Sequence, residues 1–149
     1  MSFQFDNKIH RHNSNNFLNT IKNKSSIVFT NGCFDLIHPG HIHYLYNAKK
    51  LGNFLIVGLN SDKSISKIKG KDRPINDFEF RSKVLAGFNF VDLIIEFIEE
   101  TPINLIKKIS PNILVKGKDY LENEIVGSDY VKSKGGVIHN LDFLKGYSS

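Results

Sequence analysis

Two histidines, His38 and His41, stand on either side of a proline and a glycine, directly after the segment Gly32-Cys33-Phe34-Asp35. Two imidazoles three residues apart in the first turn of a helix can project to one side. The free backbone N–H groups of that turn and the positive end of the helix dipole point the same way. Gly40 has no Cβ and lets a ligand come close to the backbone. This combination is typical of a site that holds the phosphates of a nucleotide.

The residues around these histidines leave two other interpretations open. The pair can simply cap the helix or lie on its surface. A zinc site is the second alternative, because His43 follows closely, but neither of the common histidine spacings of zinc motifs is present and we expect no bound metal. Cys33 is expected to be a small, half-buried residue at a strand end rather than a nucleophile, since no base is evident beside it.

A basic segment, residues 67–74, carries three lysines and an arginine. We expect a flexible loop that can close over a triphosphate, because a planar guanidinium such as that of Arg73 can bind phosphate oxygens through two hydrogen bonds. A solvated surface loop is the alternative. Arg81 is a further candidate for nucleotide binding, although a surface ion pair with Asp77 would also explain it.

Two later segments place hydroxyl, acidic and aromatic side chains near glycines. In residues 115–120, Asp119 can accept a hydrogen bond from a ribose hydroxyl and Tyr120 can flank a base or an acceptor, whereas the alternative is a plain turn with a core tyrosine. At the end of the sequence, the hydroxyls of Ser148 and Ser149 can hold phosphates if a helix begins there.

The elements that must position these residues alternate between apolar strands and amphipathic helices. The expected fold is α/β, a Rossmann-like, open, mostly parallel five-stranded sheet with helices on both faces. Residues 1–24 are expected to form a polar arm with one short helix, and residues 25–149 the domain. The predicted strands are 27–30, 54–59, 92–97, 113–116 and 137–141.

Ligands bind at the carboxyl ends of the strands in such a sheet. That rule brings residues 30–35, 60–62 and 116–120 around one crevice. Between the second strand and Pro74 the chain is expected to be a loop. Helices are predicted to begin near Pro39, at Asn76 or Asp77, after Thr101-Pro102 and after Ser128.

Length and composition limit the classes of protein to which this chain can belong. The chain has 149 residues, 40% of them hydrophobic, which suits one packed domain. No apolar stretch reaches membrane-spanning length and the N-terminus lacks the apolar core of a signal peptide, so we expect a soluble, cytoplasmic protein. A single cysteine excludes an internal disulfide. The net charge of +5 is spread along the chain, which suits small phosphorylated ligands and predicts neither a nucleic-acid nor a membrane partner.

The order of these motifs resembles that of the HxGH nucleotidyltransferase superfamily, whose members join a nucleoside monophosphate to a phosphorylated acceptor and release pyrophosphate. Within it, the chain is similar to the adenylyltransferases that form ADP-heptose from D-glycero-β-D-manno-heptose 1-phosphate, in their single-activity form. The resemblance runs from residue 27 to the end of the sequence. The segments that are more specific than the superfamily motif are residues 67–74 and the Val-Lys-Gly-x-Asp-Tyr segment at residues 115–120.

The resemblance implies that ATP and a sugar 1-phosphate react to give a nucleoside diphosphate sugar and pyrophosphate, with Mg²⁺ accompanying ATP, in a homodimer. It implies that the catalytic residues, which donate hydrogen bonds to phosphates or neutralise their charge, are His38, His41, Lys69 and Arg73. It implies that the nucleotide-binding residues are Thr30, Asn31, Gly32, Cys33, Phe34, Gly40, Lys67, Arg81, Gly117, Asp119, Tyr120, Ser148 and Ser149.

Other members of this scaffold provide the alternatives. CTP-dependent glycerol-3-phosphate and phosphoethanolamine cytidylyltransferases are similar in size and differ in base and acceptor. A nucleotide-binding module without catalysis is another alternative, and a nucleic-acid binder is a more distant one. The family usually continues past the Gly-Tyr-Ser segment into a C-terminal helix, so a chain that ends at Ser149 is expected to bind ATP more weakly than a longer one.

Overall fold

Six parallel strands form one sheet in this computed structural model, which describes residues 2–117, 121 and 124–142. The strands are β1 (Ile9–His10), β2 (Ile27–Gly32), β3 (Phe54–Asn60), β4 (Leu93–Phe97), β5 (Ile113–Gly117) and β6 (Val137–Leu141). Their order across the sheet is β1-β4-β3-β2-β5-β6, and each neighbouring pair runs parallel. The predicted Rossmann-like α/β class is therefore confirmed.

Helices cover both faces of the sheet. Side chains alternate along β2, so that Val28 belongs to the apolar cluster on one face and Phe29 to the cluster on the other. The helices are α1 (Phe17–Ile21), α2 (Pro39–Lys50), α3 (Asp62–Lys69), α4 (Phe78–Ala86), α5 (Ile103–Ile109) and α6 (Ser128–Ser133), and a 3-10 helix covers Gln4–Lys8. Apolar side chains of α2 and α4 pack on the Val28 face, and those of α1, α5 and α6 pack on the Phe29 face.

The predicted number of five strands is wrong, because β1 adds a sixth at the edge of the sheet. Ile9 pairs with Ile94 and His10 with Ile95, both in parallel. Two residues are too few to show the alternation of apolar and polar side chains that marks a longer strand. The N-terminal segment therefore contributes to the sheet, and Phe17 and Ile21 of α1 are buried beneath it.

The predicted loop after β3 is wrong over residues 62–69, which form α3. The side chain of Ser61 accepts a hydrogen bond from the Ser64 amide at 3.1 Å and so caps the helix. Gly70, with a φ of 111°, follows its last residue. Both signals are present in the sequence, but α3 contains only two apolar side chains, Ile65 and Ile68, and buries only Ile65, so few apolar residues mark this segment as a helix. The loop is consequently restricted to residues 70–77.

The other predicted helix starts agree with the structure to within a residue or two. Asp77 caps α4 by accepting a hydrogen bond from the Phe80 amide at 2.8 Å. The start of α5 is at Ile103, where Pro102 precedes the helix without a side-chain cap. In the part of the chain that the structure describes, no helix is both long and apolar enough to cross a membrane.

Candidate active site

The direction in which successive strands are added to the sheet reverses at β2. From β2 the chain adds β3 and then β4 on one side, and it returns to place β5 and β6 on the other. A crevice at the carboxyl ends of β2 and β5 is the place where open parallel sheets bind ligands. Lys116 of β5 reaches across it, because its Nζ donates a hydrogen bond to the carbonyl oxygen of Asn31 at 3.3 Å.

His38 and His41 are held by backbone amides at the start of α2. The Gly40 amide donates to Nδ1 of His38 at 3.1 Å, and the His38 amide donates to Nδ1 of His41 at 3.3 Å. The two rings stack with their centroids 3.9 Å apart. Since Nδ1 of each ring is an acceptor, the proton of each neutral imidazole lies on Nε2. Both histidines therefore carry an N–H donor on the nitrogen away from the helix backbone.

His41 is a neutral imidazole at physiological pH. The pKa of His41 is lowered from 6.5 to about 4, mainly by burial and to a lesser extent by the nearby His38 and the positive charge of Lys69. A neutral His41 donates a hydrogen bond from Nε2 but carries no proton that it readily gives up near pH 7. Its chemistry is hydrogen bonding to an anionic oxygen rather than acid catalysis.

The low pKa of His41 predicts a pH-dependent stability. Between pH 6.5 and 4 the unfolded chain binds a proton at this residue that the folded protein does not bind, so the free energy of unfolding falls as the pH is lowered through this window. From pH 7 to pH 5 the loss should be on the order of 2 kcal/mol. Urea unfolding of the wild type and of His41→Asn at both pH values measures it. An equal pH dependence in the two proteins would contradict this assignment.

Phe34 packs against the ring of His41, and Gly32 lies next to the ring of Phe34. Phe34 has a φ of 48°, and its ring centroid lies 5.3 Å from that of His41. A Cβ on residue 32 would lie 2.8 Å from Cε2 of Phe34, so a larger residue at this position would displace the Phe34 ring. In this structure the two residues position the histidine, and their contact with the nucleotide stays a prediction.

Asp35 joins the loop after β2 to the loop that precedes α4. It is buried, and its two carboxylate oxygens accept hydrogen bonds from the amides of Ile75 and Asn76, both at 2.8 Å. Nε of Arg73 lies 3.7 Å from Oδ2 of Asp35. Burial alone would raise the pKa of Asp35, but these amides and the charges of Arg73 and Arg81 outweigh it and hold the pKa below its usual value. Asp35 therefore fixes the loop that carries Arg73.

Arg81 is fully buried and holds the same region together. Its Nη1 donates to the carbonyl oxygens of Cys33 at 2.8 Å and Asn60 at 2.9 Å. Its Nε donates to the carbonyl oxygen of Asn76 at 2.9 Å, and its Nη2 donates to Oδ1 of Asp62 at 2.6 Å. The sequence suggested an ion pair of Arg81 with Asp77 as an alternative, but in the structure Arg81 forms its ion pair with Asp62. The guanidinium contacts four protein oxygens, which is the geometry of a positioning residue.

The remaining basic candidates occupy different places. Lys67 and Lys69 are exposed on α3 rather than in a loop. The charge of Lys69 influences both His41 and Cys33, which places its ammonium group near the crevice. Burial raises the pKa of the Cys33 thiol, so this cysteine stays protonated and is a poor nucleophile.

The structure places the other predicted nucleotide-binding residues as follows. Thr30 is fully buried, and its hydroxyl lies 2.8 Å from that of Tyr44, which connects β2 to α2. Gly40 is buried in the first turn of α2, and Gly117 is buried at the end of β5. Asp119, Tyr120, Ser148 and Ser149 lie outside the described residues.

Sequence reasoning assigned no site role to two residues that the structure brings to the crevice. Asp35 belongs to the Gly-x-Phe-Asp segment, so the sequence indicated that it lies near the site. It did not indicate that Asp35 binds the amides of Ile75 and Asn76. Lys116 stands at the end of a predicted strand, and burial lowers its pKa while the nearby Cys33 acts in the opposite direction. A partly buried ammonium group at the point where the strand order reverses is suited to a phosphate oxygen.

Comparison with known proteins identifies the family. Residues 29–138 match the model of the cytidylyltransferase-like family. The chain belongs to this family. The match confirms the predicted resemblance to the nucleotidyltransferase superfamily.

Curated relatives of this cytidylyltransferase-like protein are longer than it is. "Bifunctional protein HldE" of Campylobacter concisus is 52% identical over 128 residues, which are 86% of this chain and 26% of the relative. The protein of the same name from Haemophilus influenzae is 54% identical over 123 residues, 83% of this chain and 26% of the relative. The chain thus spans about a quarter of the length of the curated relatives it matches.

Solved structures share the fold of this cytidylyltransferase-like protein. A lipopolysaccharide core biosynthesis protein from Thermoplasma volcanium superposes with a TM-score of 0.63 at 29% identity and covers 82% of this chain and 98% of its own. Pantothenate synthetase from Thermus thermophilus superposes with a TM-score of 0.60 at 17% identity over 89% of this chain and 61% of its own, which shows the fold alone.

Proposed function

We propose that the protein transfers AMP from ATP to D-glycero-β-D-manno-heptose 1-phosphate and so forms ADP-heptose and pyrophosphate. The observation that carries the nucleotidyl transfer is the arrangement of His38 and His41 at the start of α2, where Nδ1 of each ring accepts a backbone amide and Nε2 is therefore the donor. The assignment of a heptose 1-phosphate as the acceptor rests on the resemblance of residues 115–120 and of the basic segment to the ADP-heptose-forming enzymes. The likeness to a lipopolysaccharide core biosynthesis protein supports a sugar substrate.

The reaction is an in-line displacement. An oxygen of the acceptor phosphate forms a bond to the α-phosphorus of ATP, and the bond from that phosphorus to the bridging oxygen breaks as pyrophosphate leaves. The protonated thiol of Cys33 argues against a covalent intermediate. Catalysis consists of positioning the two phosphates and stabilising the charge that develops on them.

Each side chain has a role in this proposal. His38 and His41 donate hydrogen bonds to phosphate oxygens, and Lys69 and Arg73 neutralise the β- and γ-phosphates. Lys116 stabilises charge from the opposite wall of the crevice. Asp35 and Arg81 act indirectly, because they hold the loop of Arg73 and the ends of β2 and β3 in place.

We propose that Mg²⁺ enters together with ATP and is held by its phosphate oxygens. Within residues 2–117, 121 and 124–142, no group of three His, Cys, Asp or Glu side chains is arranged to hold a metal. Asp35 accepts two backbone amides and Asp62 pairs with Arg81, so both nearby carboxylates already have partners. When bound, the cation neutralises phosphate charge.

A substrate panel tests the proposed function. Pyrophosphate release is measured with ATP, CTP and GTP against heptose 1-phosphate, glycerol 3-phosphate and phosphoethanolamine. We expect ATP with the heptose to be the best pair. A preference for CTP with glycerol 3-phosphate would overturn the proposal in favour of a cytidylyltransferase. Nucleotide binding without product in any pair would show a module without catalysis.

We propose further that the working form is a cytoplasmic homodimer without a nucleic-acid partner. The dimer rests on the family resemblance, and the spread of the lysines along the chain supports the absence of a nucleic-acid site. Light scattering coupled to size-exclusion chromatography measures the mass in solution. Oligonucleotide binding with a steep dependence on salt would contradict the second statement.

A further inference from the structure

The first residues of the chain run along α4 and β4. We call residues 3–12 the N-terminal strap. Nζ of Lys8 donates to the carbonyl oxygens of Ala86 and Phe88 at 3.0 and 3.1 Å, which closes the last turn of α4. Asp6 pairs with Lys83 of α4 at 2.9 Å. The family match covers residues 29–138, so the strap lies outside it while its partners on α4 lie inside.

Arg11 connects the strap to Phe78, the first residue of α4. Its Nε lies 3.1 Å from Oε1 of Glu96, a carboxylate whose side chain is 3% exposed. Its guanidinium carbon lies 4.3 Å from the ring centroid of Phe78, which is 2% exposed. The guanidinium carbon of Arg81 lies 5.9 Å from the centroid of the same ring. One buried ring therefore contacts a cation of the strap and the cation that organises the site.

Phe78 is well placed to transmit a displacement. It is the first residue of α4, and Asp77 caps the helix directly before it. Asn76 donates its amide to Asp35 and accepts a hydrogen bond from Arg81. A shift of the Phe78 ring moves the start of α4, and with it the contacts that fix the loop of Arg73.

We propose that Arg11 is a positioning residue for nucleotide binding, and that the strap, by holding Phe78, keeps the loop of Arg73 in its binding geometry. The inference rests on the proposed function, since the loop of Arg73 acts on the triphosphate. The contact is a cation over an aromatic ring, so its loss should have a moderate effect on binding.

The test compares Arg11→Ala with the control Asp6→Ala. Arg11→Ala removes the contact with the Phe78 ring and the ion pair with Glu96, whereas Asp6→Ala removes the ion pair with Lys83. We expect Arg11→Ala to raise the KM for ATP about three- to fivefold while kcat stays within about twofold. Asp6→Ala should leave the KM unchanged. An unchanged KM in Arg11→Ala would overturn the proposal, as would equal increases in both variants, which would indicate a general loss of stability.

Arg11→Lys separates the ion pair from the ring contact. Lysine can still pair with Glu96, but it lacks the planar group that stacks on the ring. We expect a KM between those of the wild type and Arg11→Ala. A KM equal to that of the wild type would show that charge at Glu96, and not the contact with Phe78, is what matters.

A measurement without turnover distinguishes failure of this inference from failure of the proposed function. Hydrogen exchange at the amides of Ile75 and Asn76, which donate to Asp35, reports the loop directly. We expect faster exchange in Arg11→Ala and wild-type exchange in Asp6→Ala. If the wild type transfers no nucleotide, the proposed function fails, and the exchange rates still decide the role of Arg11. Unchanged exchange in Arg11→Ala would overturn that role.

Discussion

Replacement of His41 by asparagine is expected to lower kcat by about a hundred- to a thousandfold, the usual loss when one preorganised donor to a reacting oxyanion is removed. Asparagine retains an oxygen close to the position of Nδ1, so it can still accept the hydrogen bond from the His38 amide. It has no donor at the position of Nε2. The fold should therefore persist while the contact with the phosphate is lost.

Two variants control for other effects of this change. His41→Gln reaches the position of Nε2 with an amide N–H and should retain more activity than His41→Asn. His43→Ala removes an exposed histidine of the same helix, whose ring contacts Asn47, and should behave as the wild type. Steady-state pyrophosphate release gives kcat for each protein. More than about a tenth of wild-type turnover in His41→Asn would show that this donor is not part of the catalytic machinery.

Replacement of Arg81 by methionine is expected to reduce the free energy of unfolding by about 3 to 5 kcal/mol, because it removes all the hydrogen bonds of a fully buried guanidinium. Methionine fills much of the same volume but donates no hydrogen bond. The carbonyl oxygens of Cys33, Asn60 and Asn76 would lose their donor, and Asp62 would lose its counter-charge. The loss of the donor to the buried carbonyl of Asn60 and to the half-buried carbonyls of Cys33 and Asn76 is the main source of the expected effect.

Urea unfolding, followed by circular dichroism, measures this loss. Glu79→Ala is the matched control, since it changes an exposed side chain in the same helix and should stay within about 0.5 kcal/mol of the wild type. Arg81→Lys keeps the charge but cannot reach four oxygens in different directions, so we expect an intermediate loss. If Arg81→Met unfolds within about 1 kcal/mol of the wild type, Arg81 does not hold the site together.

The strands around the crevice could be predicted from the sequence because their signals are local. The runs that form β2 and β3 are apolar, rich in β-branched residues and bounded by polar turn residues. The start of α2 combines a proline at the first helical position with one histidine before it, His38, and one after it, His41. Such features need no knowledge of distant residues, and they were sufficient to bring the histidines to the correct end of the sheet.

What the sequence did not reveal depends on distant partners. β1 is recognisable only through its pairing with β4, about 85 residues later. Asp35 was part of a motif, but its partners Ile75 and Asn76 follow at separations of 40 and 41 residues. Arg81 was interpreted as a ligand for the nucleotide because a guanidinium can bind phosphate oxygens as well as carbonyl oxygens, and only the fold shows which oxygens surround it.

The crevice between β2 and β5 also bears on how the protein folds. Its two walls are 85 residues apart in the chain, as the contact between Lys116 and Asn31 shows. Bringing such distant segments together costs chain entropy that is compensated only after β3, β4 and the helices between them are in place. We therefore expect the crevice to be completed late in folding. A ligand that requires both walls binds the native state alone, so the triphosphate proposed as substrate also shifts the folding equilibrium toward the native protein.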